Sequence, residues 1–335
     1  MTGRERVLAA IDGRATDHLA LMPITMMFAA DIAGVHYKEY ATDCRVLADA
    51  QVRTAEKFAF DYVSAISDPA REASDLGAAI EWFDDQPPAI IESRALLHDK
   101  STLANTQMPD ASQGRMADRV KAVELLASQA GSGKIVEGWV EGPCAMAADL
   151  RGLNTLMLDF FDDAAFVTDL FEFVTGMELR FAQAQVDAGA SLIGVGDAAA
   201  SLIGPKLYRQ CVFPYEHRLI QGIRAMGVKV RLHICGNTRK LFSDMGRLGA
   251  DIIDLDWMAP LGEAREVMGP SQMLLGNIDP VRVLRDGDDN SVERAIGECH
   301  RAAGERYIVG AGCEVPRGTP QENVRAMARY AQEHR

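Results

Sequence analysis

The chain has 335 residues, of which 48% are apolar and 25% charged, with a formal net charge of −13. That size and composition bury a core without disulfide staples, and the acidic excess, with no Lys/Arg stripe to offset it, argues against a nucleic-acid partner. The N-terminus has charges but no apolar signal-type run, no segment approaches the roughly 18 apolar residues that span a bilayer, and the six cysteines lack framework spacing, so no membrane contact, reduced thiols and a cytoplasmic setting are expected.

Along the chain, short β-branched apolar runs alternate with longer segments of helical periodicity. Strands are predicted at 19–24, 61–66, 134–140, 191–196, 228–233, 251–255, 272–276 and 306–311. Their near-continuous apolar character suits parallel strands covered on both faces. Helices are predicted at 164–188, at 206–226 with Pro214 kinking or dividing it, and at 322–334. Residues 68–118 read as a polar insertion with short strands at 79–82 and 89–91 and little regular helix. Residues 285–290, Arg-Asp-Gly-Asp-Asp-Asn, read as a surface turn. The fold class that follows is α/β: one (β/α)₈ TIM-type barrel over residues 1–335, with an insertion after the second strand.

Barrels of this type carry their chemistry on the loops at the C-terminal ends of the strands. There the sequence places Glu141, Asp197, His233-Ile-Cys235-Gly-Asn237, Asp256, Asn277 and Gly312-Cys313. His233 and Cys235 stand two apart on an extended segment, so both side chains face one side. Cys313 arrives from the last strand after Gly-Ala-Gly. One imidazole and two thiolates form a soft donor set suited to zinc, and three protein ligands leave a position open, as in catalytic sites. A hydrogen-bonded histidine and two core cysteines are the plainer reading of the same residues. Arg317, four residues past Cys313, reads either as an anchor for an anionic substrate group or as a loop charge.

The segment from His233 to Thr238, with Gly312-Cys313 downstream, resembles the His-x-Cys…Cys zinc signature of the corrinoid-dependent coenzyme M methyltransferases, in the uroporphyrinogen decarboxylase-like superfamily. Residues 4–13, 141–147, 203–208, 213–215, 276–280 and 319–323 agree with it. The resemblance implies a TIM-type barrel, bound zinc, and methyl transfer between a small thiol, such as coenzyme M, and a methylcorrinoid supplied by a separate corrinoid protein. The opposite half-reaction, taking methyl from a methoxy, methylamine or methylthio substrate, stays open, as does a barrel that only binds a ligand or a corrinoid partner. True uroporphyrinogen decarboxylases carry an Arg-Gln-Ala-Gly-Arg segment after the first strand; here Met22-Pro-Ile-Thr-Met-Met-Phe28 has no arginine, which disfavours decarboxylation. By analogy with zinc-dependent methionine synthases, Asp256 is expected either as a displaceable fourth ligand or as a carboxylate tied to a loop. Asp197 and Glu141 are candidate catalytic supports, and Asn237 and Asn277 candidate cofactor contacts.

Overall fold

The apolar runs pair side by side in sequence order. In the computed structural model, which describes Met1–Arg335, seven strands form one sheet: β1 (Tyr62–Ser64), β2 (Ile135–Glu141), β3 (Leu192–Gly196), β4 (Lys229–Ile234), β5 (Ile252–Leu255), β6 (Met273–Leu275) and β7 (Tyr307–Ile308). Every neighbouring pair is parallel, with connections that run through helices.

The eighth expected strand, 19–24, closes the ring as a single bridge. Leu21 pairs in parallel with Val309, while Met22 N–H donates to Val309 O at 2.9 Å and Asp61 N–H to Leu21 O at 3.1 Å. Pro23 has no N–H to donate, so the ladder stops there. The segment thus sits between β7 and β1 and makes the sheet a barrel.

The helices follow the periodicity closely: Ala164–Asp187 and Gln321–Glu333 lie where they are predicted. The segment around Pro214 is divided, as one of its two readings required. A short helix, Pro205–Leu207, runs into a π-helical turn, Tyr208–Val212, and then into Phe213–Ala225, with Pro214 in the first turn of the last. The insertion contains the expected ribbon, Ile80–Glu81 against Ala89–Ile90. It holds more helix than its composition suggests: Ala70–Asp75 lies inside it, and the helix Gly114–Ala130 begins before it ends. The predicted turn at 285–290 shrinks to 286–288, because Asp288 already caps the helix Asp289–Ala303. No helix is long and apolar enough to cross a membrane.

Apart from the main core, a small apolar cluster of Ile24, Ile66 and Trp139, with Met26 packed on it, stands at the C-terminal side of the strands. Trp139 lies so close to β3 that a Cβ on Gly194 would come within 2.1 Å of its ring.

Candidate metal centre

Alternation along β4 turns Arg231 and His233 to the same side, and Cys235, one residue past the strand, follows them. Cys235 Sγ stands 3.3 Å from His233 Nε2. Cys313 reaches the same point from the segment beyond β7. That approach needs Gly312, where a Cβ would lie 2.3 Å from the backbone nitrogen of Trp257. The imidazole nitrogen and both sulfurs lie within 4.8 Å of one another, and no further His, Cys, Asp or Glu joins the set. Tetrahedral zinc with bonds of about 2.0–2.3 Å places its ligand atoms roughly 3.5 Å apart, so this set fits that ion.

The register of the sheet supplies the support behind the imidazole. His233 pairs with Asp254 on the adjacent β5, and Asp254 Oδ2 lies 3.1 Å from His233 Nδ1. The Asp254 backbone carbonyl accepts the Nδ1 proton at 3.2 Å with the carboxylate beside it, which turns Nε2 toward the sulfurs. Arg231 donates to the same Oδ2 from Nε at 3.0 Å and Nη2 at 2.7 Å, and its Nη1 is 3.4 Å from Glu137 Oε1. Glu137, Arg231 and Asp254 are all fully buried. This row of alternating charges was missed in the sequence. Its signal was there: an arginine and an aspartate inside two otherwise apolar strand runs.

Electrostatics bias the cluster toward its charged form. Burial opposes a proton on His233, but the neighbouring Cys235 sulfur and Asp254 carboxylate outweigh it and raise its pKa. The neighbouring sulfurs push each other apart: Cys313 is lowered well below the usual thiol range and Cys235 is held above it.

The other predicted residues are placed around this centre with different tasks. Asp256 is not among the clustered ligand atoms; its Oδ1 accepts the Met258 N–H at 2.8 Å, the loop-bound alternative of its two readings. Asp197 is buried and caps the helix Pro143–Arg151, accepting from Ala145 N–H at 2.7 Å and Cys144 N–H at 3.3 Å. Asn277 Nδ2 donates to the carbonyls of Asp256 and Ala259 at 2.9 and 2.6 Å, tying two strand-end loops together. Asn237 is exposed and accepts from Arg239 N–H at 3.2 Å. Arg317 is engaged by Asp31 at 2.7 Å and Asp85 at 3.1 Å, so its charge is already answered. Glu141 faces a separate cavity, described below, whose lining includes none of the three clustered residues.

The class these features define is an α/β barrel with an imidazole and two cysteine sulfurs clustered at its strand ends, a set that could hold a metal ion. The uroporphyrinogen decarboxylase (URO-D) pattern matches residues 2–334, and the chain belongs to that family. Among curated relatives it is similar to the methylcobamide:CoM methyltransferase MtbA of Methanosarcina mazei, with 27% identity over all of this chain and 98% of that protein. The methylated-thiol–coenzyme M methyltransferase of the same organism is 25% identical over 99% of this chain and 90% of its own length. A Thermus thermophilus uroporphyrinogen decarboxylase reaches 36% identity, but over only 49% of this chain. A solved methyltransferase from Methanosarcina mazei superposes with a TM-score of 0.91 over 99% of both chains at 22% identity, and so shares the fold. The end-to-end matches among these relatives are to coenzyme M methyltransferases.

Proposed function

We propose that this chain is a zinc-dependent methyltransferase that moves a methyl group between a methylcobamide on a separate corrinoid protein and a small thiol. The observation that carries this reading is the convergence of His233 Nε2 with the Cys235 and Cys313 sulfurs, backed by Asp254. A zinc ion held by these three would deprotonate a bound thiol, whose free pKa is about 8.5, and keep its sulfur nucleophilic. The chain's own residues set the stage for that. Asp254 and Arg231 fix the imidazole. Ile24, Met26, Ile66 and Trp139 offer an apolar wall where a decarboxylase would need arginines for carboxylates. In the transfer, a sulfur lone pair forms the S–CH₃ bond, the electron pair of the broken bond to carbon stays with the departing corrinoid, and the thiol proton goes to solvent.

Coenzyme M is the acceptor named for the relatives. One relative's name also includes a methylated thiol, which supports the reverse use of the same centre on a methylthio donor.

The test is metal content together with turnover of methylcobalamin and thiols. Replacing His233, Cys235 or Cys313 with Ala should lower bound zinc and abolish thiol methylation while the barrel stays folded. Thiol binding near neutral pH should release about one proton, counted by calorimetry in buffers of different ionisation enthalpy. Full activity in Cys235→Ala would refute the assignment.

A further inference from the structure

A cavity of about 390 Å³ opens between the ends of β1, β2 and β3 and the ribbon of the insertion. Nine of its fourteen lining residues are hydrophobic, among them Ala145, Ala148 and Leu153, yet Glu141 and Asp149 also face it, with Glu92 at its edge. Glu141 is only 6% exposed and its carboxylate makes no hydrogen bond; the nearest cation, Arg71 Nη2, is 3.7 Å away. Asp149 Oδ2 is buried with no partner. Behind them Glu72 Oε2 and both carboxylate oxygens of Glu178 are also buried and unpartnered. Arg71, the one cation in contact with this group, binds Glu72 at 2.6 Å and stands 3.7 Å from Glu141, with its Nε and Nη1 unpartnered. Burial first, and then the neighbouring carboxylates, raise the pKa of Glu141 and Asp149. Four acids, Glu72, Glu141, Asp149 and Glu178, therefore share one cation, Arg71, and two of them face the space.

We propose that this cavity binds a small organic ammonium group, with its charge against Glu141 and Asp149 and its carbons against the alanine and leucine walls. A divalent metal fits less well, since it needs six or more oxygen ligands and the walls are mostly methyl groups. An anion such as a sulfonate meets carboxylates there, and Arg317, the one predicted anionic anchor, is already paired. One turn links the cavity to the neighbourhood of the metal centre. The turn Ala198–Leu202, which lines it, sets the Ser201 hydroxyl 3.2 Å from where a Cβ of Gly236 would stand, next to Cys235. Resting on the methyl-transfer reading, the consequence is that the small substrate at the metal carries a cationic tail.

Choline and its neutral isostere 3,3-dimethylbutan-1-ol separate charge recognition from mere filling of the cavity. Titrated calorimetrically into the full chain at constant ionic strength, choline should bind saturably and the alcohol at least tenfold more weakly. Glu141→Gln and Asp149→Asn should each weaken choline at least tenfold with zinc content retained. Ala198→Phe narrows the cavity from an exposed position without touching the buried charges, and should abolish binding even if the acidic variants misfold. Equal affinity for the alcohol, unaltered choline binding in folded Glu141→Gln, or tighter competition by Mn²⁺ would overturn the assignment. Choline binding should persist in metal-free Cys235→Ser, so loss of methyl transfer does not erase this readout. With methylcobalamin as donor, cysteamine should exceed 2-mercaptoethanesulfonate in kcat/KM. The reverse order would overturn the cationic tail while leaving the methyl-transfer reading standing.

Discussion

At His233 the ring nitrogen that faces the sulfurs is chosen by a neighbour. Asp254 holds Nδ1 at 3.1 Å and is itself held by Arg231, so rotating or re-protonating the imidazole means breaking a buried, doubly anchored ion pair. Asp254→Asn keeps the shape but removes the charge, and an amide can offer its N–H to Nδ1 and stabilise the wrong tautomer. Zinc affinity should then fall by about 10- to 100-fold, measured by competition with a chromophoric chelator; an unchanged affinity would show that the imidazole needs no such support. The pairing of His233 with Cys235 was legible from the sequence because His-x-Cys is a local pattern with period two. Asp254 was not, since its role depends on lying across a rung from a residue 21 positions earlier. Asn277 and Asp256 were legible as strand-end residues, but Asn277 bonds backbone of the neighbouring loop and Asp256 backbone of its own, which spacing alone does not show.

The end of β3 and the helix Phe213–Ala225 are joined through a pair of buried acids. Asp197 caps the helix Pro143–Arg151 and shares a buried site with Glu216, which also receives the Tyr208 hydroxyl. Burial pushes the Glu216 pKa up to about 7, against the hydrogen bonds from Tyr208 and Asp197 that lower it. A carboxyl whose folded pKa is raised favours the folded state fully below its unfolded value near 4.5 and loses that contribution as pH climbs through about 7. The chain should therefore lose stability between about pH 4.5 and 7 from Glu216, on the order of 3 kcal/mol. Glu216→Gln should flatten that part of the curve, read as the urea midpoint against pH; a slope as steep as that of the wild type would place the titration elsewhere. At this scale the strands and long helices were readable from hydrophobic period. The helix Ala70–Asp75 was not, because six residues are too few for a period to declare itself, and packing, not propensity, makes them helical.

The barrel is closed by a seam thinner than its other joints. A bridge at Leu21–Val309 stands where the other neighbours share longer ladders, and above it Val315 N–H reaches Ile24 O at 2.8 Å. The clustered donors come from both sides of the mouth: His233 and Cys235 belong to β4 and its end, whereas Cys313 belongs to the segment past β7 that also holds Ile24 and Ile278. An ion bound by all three would tether distant parts of the ring while the main core packs without it. Removing it should therefore loosen the mouth and leave the fold. A ligand at a thousand times its Kd stabilises by about 4 kcal/mol, which for a chain of this size corresponds to a Tm change of roughly 5 °C. Chelation should lower the Tm by that amount with the far-UV circular dichroism unchanged at 25 °C, and faster amide exchange should be confined to 310–315 and 233–238. Cys313→Ala should match the chelated wild type and respond no further to chelator. Global unfolding on chelation would instead make the site structural, and an unmoved Tm would mean that no ion ties these segments together.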